Sequence, residues 1–221
     1  MIRTRSPGFA SRSTLLVMVA AFAAGLGLYA AQRYFPAAGT ASPVNAELLK
    51  SVRLINPPRE LAAFQLSLAD GSKASAATLA GHWTVVFLGF THCPDVCPTT
   101  LAELAKAQAS WRSLPAATRP RLLFVSVDPE RDTPAKTGEF AHFFNADTLA
   151  GTANPAELSQ FAQALGLVYM KVPLENGDYT MDHSATLVVL DPQGRQAGLI
   201  RPPLKWKDIA GDLRLLTESG R

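Results

Sequence analysis

Two continuous apolar runs limit what this chain can fold into. "TVVFLGF" (84–90) and "RLLFVSVD" (121–128) are rich in β-branched residues and carry no alternation. That is the pattern of strands buried on both faces, which need helices packed over the sheet. Helical spacing follows each: "TTLAELAKAQASWRSL" after the first, "TPAKTGEFAHFF" after the second. A third helix, "NPAELSQFAQALG", closes on Gly166, and "WKDIAGDLRLL" ends the chain as an amphipathic helix. "AFQLSLADGSKAS" reads as a hairpin about Asp70-Gly71, and "LVYMKV", "SATLVVLD" and "RQAGLIR" as further strands. The alternation predicts an α/β fold, and the strand-rich C-terminal half makes the central sheet mixed.

The end of the first run carries both cysteines of the chain, in "FLGFTHCPDVCPTT". Cys93 and Cys97 each precede a proline, which disfavours helical backbone in the residue before it. Pro98 suits a first helical position, so both thiols are expected on the turn between strand and helix. There the helix N-terminus favours a thiolate. A structural disulfide would close a very small loop and stabilise little. A redox dithiol and a soft-metal site remain, since two thiolates with three residues between them suit either.

The amino terminus is a different kind of sequence. Residues 14–31, "TLLVMVAAFAAGLGLYAA", carry no charge over 18 residues, and Arg3, Arg5 and Arg12 precede them. This predicts one transmembrane anchor with residues 1–13 cytoplasmic and the remainder across the membrane. A cleavable signal peptide is the rival, because "AFA" (21–23) has a cleavage-site pattern, and the Arg- and Ser-rich start also resembles a transit peptide. A bacterial inner-membrane anchor with a periplasmic domain is the simpler reading. Residues 32–53 then form a linker, small-residue- and proline-rich at its start, and 54–221 the domain. Residues 1–46 hold four arginines and no acid, whereas the rest holds 17 Lys+Arg against 18 Asp+Glu. The basic pI near 9.0 thus belongs to the terminus, and the domain shows no nucleic-acid footprint.

A metal reading needs a third ligand. His82 precedes a strand and reads as surface or packing. His142 lies on a helix without chemical company, and His92 adjoins Cys93 but should point away from it. His183 stands just ahead of the strand "SATLVVLD". In a thioredoxin-like arrangement Ala185 would take the place of the oxidoreductase proline, and His183, two residues upstream, would face the cysteine turn. A neutral imidazole there would complete an S,S,N site suited to copper. Around these, Asp95 reads as ordering the turn, Asp182 as a group that could orient His183, and Met181 as packing. In "DPERDTP" (128–134), Asp132 or Thr133 reads as a helix cap.

The stretches "FLGFTHCPDVCPTTLAEL", "VSVDPERDTP" and "YTMDHSATLVVLDPQG" closely resemble the SCO/SenC family, in the same order and with similar spacing from about Phe64 to the C-terminus. The resemblance implies a membrane-tethered, thioredoxin-like copper chaperone for cytochrome c oxidase assembly, with Cys93, Cys97 and His183 as copper ligands. The implied partners are the oxidase subunit carrying the binuclear copper centre, an upstream copper donor and a thiol reductant, with no nucleic acid. The alternative is a thiol-disulfide oxidoreductase or redox sensor using Cys93 and Cys97 as its redox pair, in which His183 would be dispensable. A thiol peroxidase fits less well, because no arginine adjoins Cys93.

Overall fold

The computed structural model describes residues 16–25 and 46–220. The chain divides into two units, 1–42 and 43–221. In the first, residues 16–25 are helical and exposed. The rest of the expected 14–31 span, the 1–13 segment and most of the linker lie outside the described residues. No helix among the described residues is long and apolar enough to cross a membrane.

The second unit carries one continuous core, from Leu49 to Leu216. Its strands are β1 (Val52–Arg59), β2 (Leu66–Leu68), β3 (Lys73–Ala74), β4 (Thr84–Gly89), β5 (Arg121–Ser126), β6 (Leu149–Thr152), β7 (Tyr169–Pro173), β8 (Tyr179–His183), β9 (Leu187–Leu190) and β10 (Gln196–Ile200). Between them run α1 (Ala76–Leu79), α2 (Val96–Trp111), α3 (Pro134–Phe144), α4 (Pro155–Leu165) and α5 (Trp206–Ser219). Eight strands form a mixed sheet in the order β1-β10-β9-β4-β5-β6-β2-β3, and β7 and β8 make a separate antiparallel hairpin. The expected architecture, a mixed central sheet flanked by helices, is the one found.

The two apolar runs become β4 and β5. They pair in parallel from Thr84↔Arg121 to Gly89↔Ser126, and every residue of β4 is buried. Because β9 pairs antiparallel on the other side of β4, the carboxyl end of β4 opens between two strands of opposite direction. The helices start where the caps specify. Thr133 and Asn154 accept from the amides of Lys136 and Glu157, each just before a proline at the first helical position. Gly166, at φ +68°, ends α4 in the left-handed conformation glycine adopts without penalty. Helix α2 packs against α5, where the Trp111 indole N–H donates to the Ala210 carbonyl at 3.1 Å.

Four of these elements were not legible in the sequence, the one-turn helix α1 and three strands. Strand β1 contains Pro57 and Pro58, which argue against a strand, yet it is an edge strand whose register breaks between Leu54 and Arg59. Strand β6 has only four residues, and β8 reads locally as an approach to β9. The backbone leading into β1 is fixed by the buried Asp212 carboxylate, which accepts from the amides of Lys50, Ser51 and Val52 at 3.0, 2.7 and 2.8 Å.

Candidate metal centre

Strand β4 ends at Gly89, and the chain turns through Thr91–Asp95 before α2. The Cys93 amide donates to the Phe90 carbonyl at 3.3 Å, which folds the turn back on the strand end. Helix α2 begins at Val96, two residues before Pro98. Cys97 therefore sits inside the first helical turn rather than ahead of it. Pro98 falls third, where its missing N–H is one the helix leaves unpaired anyway.

This placement separates the two sulfurs. Cys93 is half-buried, whereas Cys97 is fully buried, and both are free thiols. The Cys97 amide donates to Cys93 Sγ at 3.3 Å, so the helix N-terminal donor serves Cys93. Cys97 does not gain the expected thiolate: burial pushes its thiol up, against a smaller opposing contribution from the Phe90 backbone. Gly89 makes room for that sulfur. A Cβ there would lie 2.9 Å from Cys97 Sγ and 2.7 Å from the Phe124 ring. Its signal was a glycine inside an otherwise continuous strand, which marks a close approach.

His183 ends β8, opposite Tyr169 in the hairpin. Its Nε2 lies 3.6 Å from Cys97 Sγ, across 86 residues of chain. Nδ1 faces the Ser184 carbonyl at 3.2 Å. A carbonyl only accepts, so Nδ1 carries the proton and Nε2 presents a lone pair to the Cys97 thiol. The imidazole packs edge-on to Phe87 and Phe90, both at 6.1 Å between centroids, and burial pushes its pKa down. It is a neutral ring at physiological pH.

The other histidines are elsewhere. His82 is buried, with Nδ1 donating to the Arg119 carbonyl at 2.8 Å. His142 Nε2 donates to the Thr148 carbonyl at 3.0 Å. His92 is exposed beside Thr91 and Asp132. Asp95 is exposed and receives the Thr99 hydroxyl at 3.4 Å, while Met181 is buried in the core. Asp182 is exposed, and the hydrogen bond that orients His183 is the one its Nδ1 donates to the Ser184 carbonyl.

The "DPERDTP" loop does more than cap a helix. Thr133 alone is the cap of α3. Asp132 is 1% exposed, and its carboxylate accepts from the Thr91 amide at 2.8 Å, the Thr91 hydroxyl at 2.5 Å and the Ser126 hydroxyl at 2.5 Å. Asp128 accepts from Arg131 Nε at 2.6 Å and the Tyr179 hydroxyl at 2.8 Å. Arg131 in turn donates to the Tyr179 carbonyl at 3.0 Å and stacks over the Tyr179 ring, its guanidinium carbon 3.7 Å from the centroid. One loop therefore grips the cysteine turn with Asp132 and the histidine hairpin with Asp128 and Arg131. Charges in "VSVDPERDTP" were visible in the sequence, but nothing there tells a capping aspartate from a buried one.

Among the described residues no three Cys, His, Asp or Glu side chains already stand close enough together to hold one ion. What is assembled is a pairwise chain, Cys93 to the Cys97 amide and Cys97 to His183. Two soft sulfurs and a neutral imidazole nitrogen are donors matched to copper, and the buried phenylalanines keep water from one side.

The SCO1/SenC family model matches residues 53–218. A putative copper-binding protein of Stutzerimonas stutzeri is 38% identical over 162 residues, covering 72% of this chain and 78% of that protein. The SCO1 homolog 1 of Arabidopsis thaliana mitochondria is 35% identical over 130 residues, and the match spans 59% of this chain but only 39% of that protein. The structure of Bradyrhizobium japonicum ScoI with copper bound superposes with a TM-score of 0.64 at 34% identity, covering 70% of this chain and 97% of that one.

Proposed function

The chain belongs to the SCO1/SenC family, and from that premise we propose that it is a copper metallochaperone, anchored in a membrane by residues 14–31. It binds copper through Cys93, Cys97 and His183 and passes it to the cytochrome c oxidase subunit that carries the binuclear copper centre. The observation that carries this reading is the 3.6 Å approach of His183 Nε2 to Cys97 Sγ. In a soft-metal site that imidazole lone pair is a third ligand beside the two sulfurs, whereas in a disulfide reductase it would serve only as a base for the buried thiol.

The chemistry follows from the donors. The half-buried Cys93 is the sulfur an incoming ion meets first. Binding to Cys97 displaces the thiol proton, and His183 closes the site with the lone pair that the Ser184 carbonyl keeps free. Release is the reverse, with the partner's thiolates replacing these ligands one at a time. An oxidising compartment can join Cys93 and Cys97 and abolish binding, so a thiol reductant acts upstream, beside a copper donor. The 18 uncharged residues after three arginines support a single-pass anchor in a bacterial inner membrane, with the domain in the periplasm.

A second reading has one observation in its favour: the Cys97 amide aimed at Cys93 Sγ would stabilise an attacking thiolate in a disulfide reductase. Anaerobic copper titration of the reduced 43–221 domain separates the two. One tightly held copper per chain, weakened in each of Cys93→Ser, Cys97→Ser and His183→Ala, is the expected result. Unchanged binding in His183→Ala, or no stable copper together with rapid thiol–disulfide exchange, overturns it.

A further inference from the structure

Most lysines and arginines among the described residues of the second unit are engaged. Lys106, Arg112, Arg131, Lys171, Arg195 and Arg214 pair with carboxylates. Arg59, Lys73, Arg119 and Lys136 donate to carbonyl, amide or hydroxyl oxygens, and Lys207 lies over the Trp206 ring. Five side chains make no such contact: Lys50, Arg53, Arg121, Arg201 and Lys205. Four of these five, all but Arg121, line one open pocket of about 330 Å³, which contains a single carboxylate, Asp208.

The four cations are held on fixed backbone. Asp212 pins the amides at Lys50–Val52, β1 pairs Arg53 with Leu199 two residues before Arg201, and the Lys205 carbonyl accepts from the Asp208 and Ile209 amides at the start of α5. Gathering like charges without partners costs free energy in the free protein, and an anionic ligand offsets that cost. The domain as a whole is close to neutral, so this is a local feature and not a general basicity.

The pocket is also next to the metal centre. Pro202 lines both it and a mainly apolar groove of about 200 Å³ bounded by Phe87, Val96, Ala185 and Leu204, whose one carboxylate, Glu103, is paired with Lys106. Phe87 is a ring that meets His183, Val96 precedes Cys97, and Ala185 follows His183 by two residues. A protein exchanging ligands with Cys97 and His183 approaches beside that groove, and the cations lie on the groove's far side at Pro202.

We infer that the pocket of Lys50, Arg53, Arg201 and Lys205 docks an acidic surface segment of the copper-accepting protein. This rests on the metallochaperone reading. A cationic surface beside a transfer site steers the partner's approach and sets its orientation, and its contribution falls with ionic strength.

The test uses the 43–221 domain, which contains the whole described core of the second unit, and the copper-free soluble domain of the oxidase subunit as acceptor. Affinity between the two is measured at low and high salt for the wild type, for Lys50→Glu/Arg53→Glu/Arg201→Glu/Lys205→Glu, and for the corresponding glutamine variant. Copper titration of each is the control. The expected result is at least a tenfold loss of affinity at low salt in the glutamate variant, a smaller loss in the glutamine variant, and copper binding unchanged in both. Equal affinity for the acceptor in wild type and glutamate variant overturns the inference, as does a wild type that does not bind it. Binding to phosphatidylglycerol vesicles that the glutamate variant loses, without any change toward the acceptor, would also overturn it and mark the pocket as a membrane-surface site. Absence of copper binding in the wild type would refute the metallochaperone reading instead, leaving the docking affinity to be judged by itself.

Discussion

The carboxylate of Asp132 holds Thr91 twice, accepting from its amide at 2.8 Å and its hydroxyl at 2.5 Å. Thr91 is two residues before Cys93, so a residue in the loop between β5 and α3 sets the path of the cysteine turn at the end of β4. The same loop, through Asp128 and Arg131, holds Tyr179 four residues before His183. The two halves of the candidate centre are thus registered against a common bracket.

Replacing Asp132 with alanine leaves the buried Ser126 hydroxyl and the part-buried Thr91 donors without their acceptor. The expected cost is about 3 kcal/mol, read as a shift in the urea midpoint at constant m-value. Copper affinity of the folded fraction should fall as well. A variant with wild-type stability would show that Asp132 does not anchor the turn.

Arg131→Ala tests the other arm. It removes the stack on Tyr179 and the donors to Asp128 and the Tyr179 carbonyl, while the turn and helix that carry the cysteines keep their own contacts. The domain should remain folded, and copper affinity should fall by about tenfold, equivalent to about 1.4 kcal/mol. Tyr179→Phe keeps the stack and loses only the hydroxyl bond, so its effect should be smaller, about 1 kcal/mol. The phenol of Tyr179 is pushed up to about 12 by burial and the Asp128 carboxylate, so ultraviolet titration should find it among the last tyrosines to ionise.

The two thiols should react unequally. Cys93 is half-buried, and Cys97 is buried with its thiol pushed up. Iodoacetamide at pH 8 should therefore alkylate Cys93 at least about tenfold faster, because the thiolate is the nucleophile and access is required. Peptide mapping over a time course reads this directly, and equal rates would contradict the burial of Cys97.

Copper affinity should rise with pH. Cys97 is a neutral thiol across the neutral range and must lose its proton to bind, whereas burial keeps His183 deprotonated at neutral pH and gives it no proton to release. At least one proton leaves per copper bound, so affinity gains at least about tenfold per pH unit between roughly pH 6.5 and 8.5. A pH-independent affinity over that range would remove Cys97 from the ligand set.

Gly89→Ala should disturb the site from behind. The added methyl would meet the Phe124 ring and Cys97 Sγ at distances side chains do not tolerate. About 1–3 kcal/mol of stability should be lost, and the thiolate-to-copper absorption of the Cu(II) form should shift as the sulfur moves. An unshifted spectrum would mean that the sulfur is not confined there.

Much of this protein was present in local sequence, because the features concerned are short-range. A run such as "TVVFLGF" declares a buried strand, and a threonine or asparagine before a proline declares a helix start. Cysteines before prolines declare a strand-to-helix turn. Each depends on neighbours within a few residues; the strands and helix starts lie close to where they were read, and Cys93 stands on the turn, but Cys97 lies one turn further, inside α2. The sequence also supplied the donor types, two thiols and a histidine ahead of an apolar strand. What it could not decide were matters of contact between distant segments. That Cys97 lies inside the helix and is buried follows from how α2 seats against β4. That His183 meets it across 86 residues follows from the position of β9 beside β4, which carries the hairpin end to the cysteine turn. That Asp132 is a buried anchor and not a cap depends on Thr91 and Ser126 converging on it from separate strand ends. Burial, partner choice and the resulting thiol acidity are properties of the packed sheet, and only the tertiary structure could determine them.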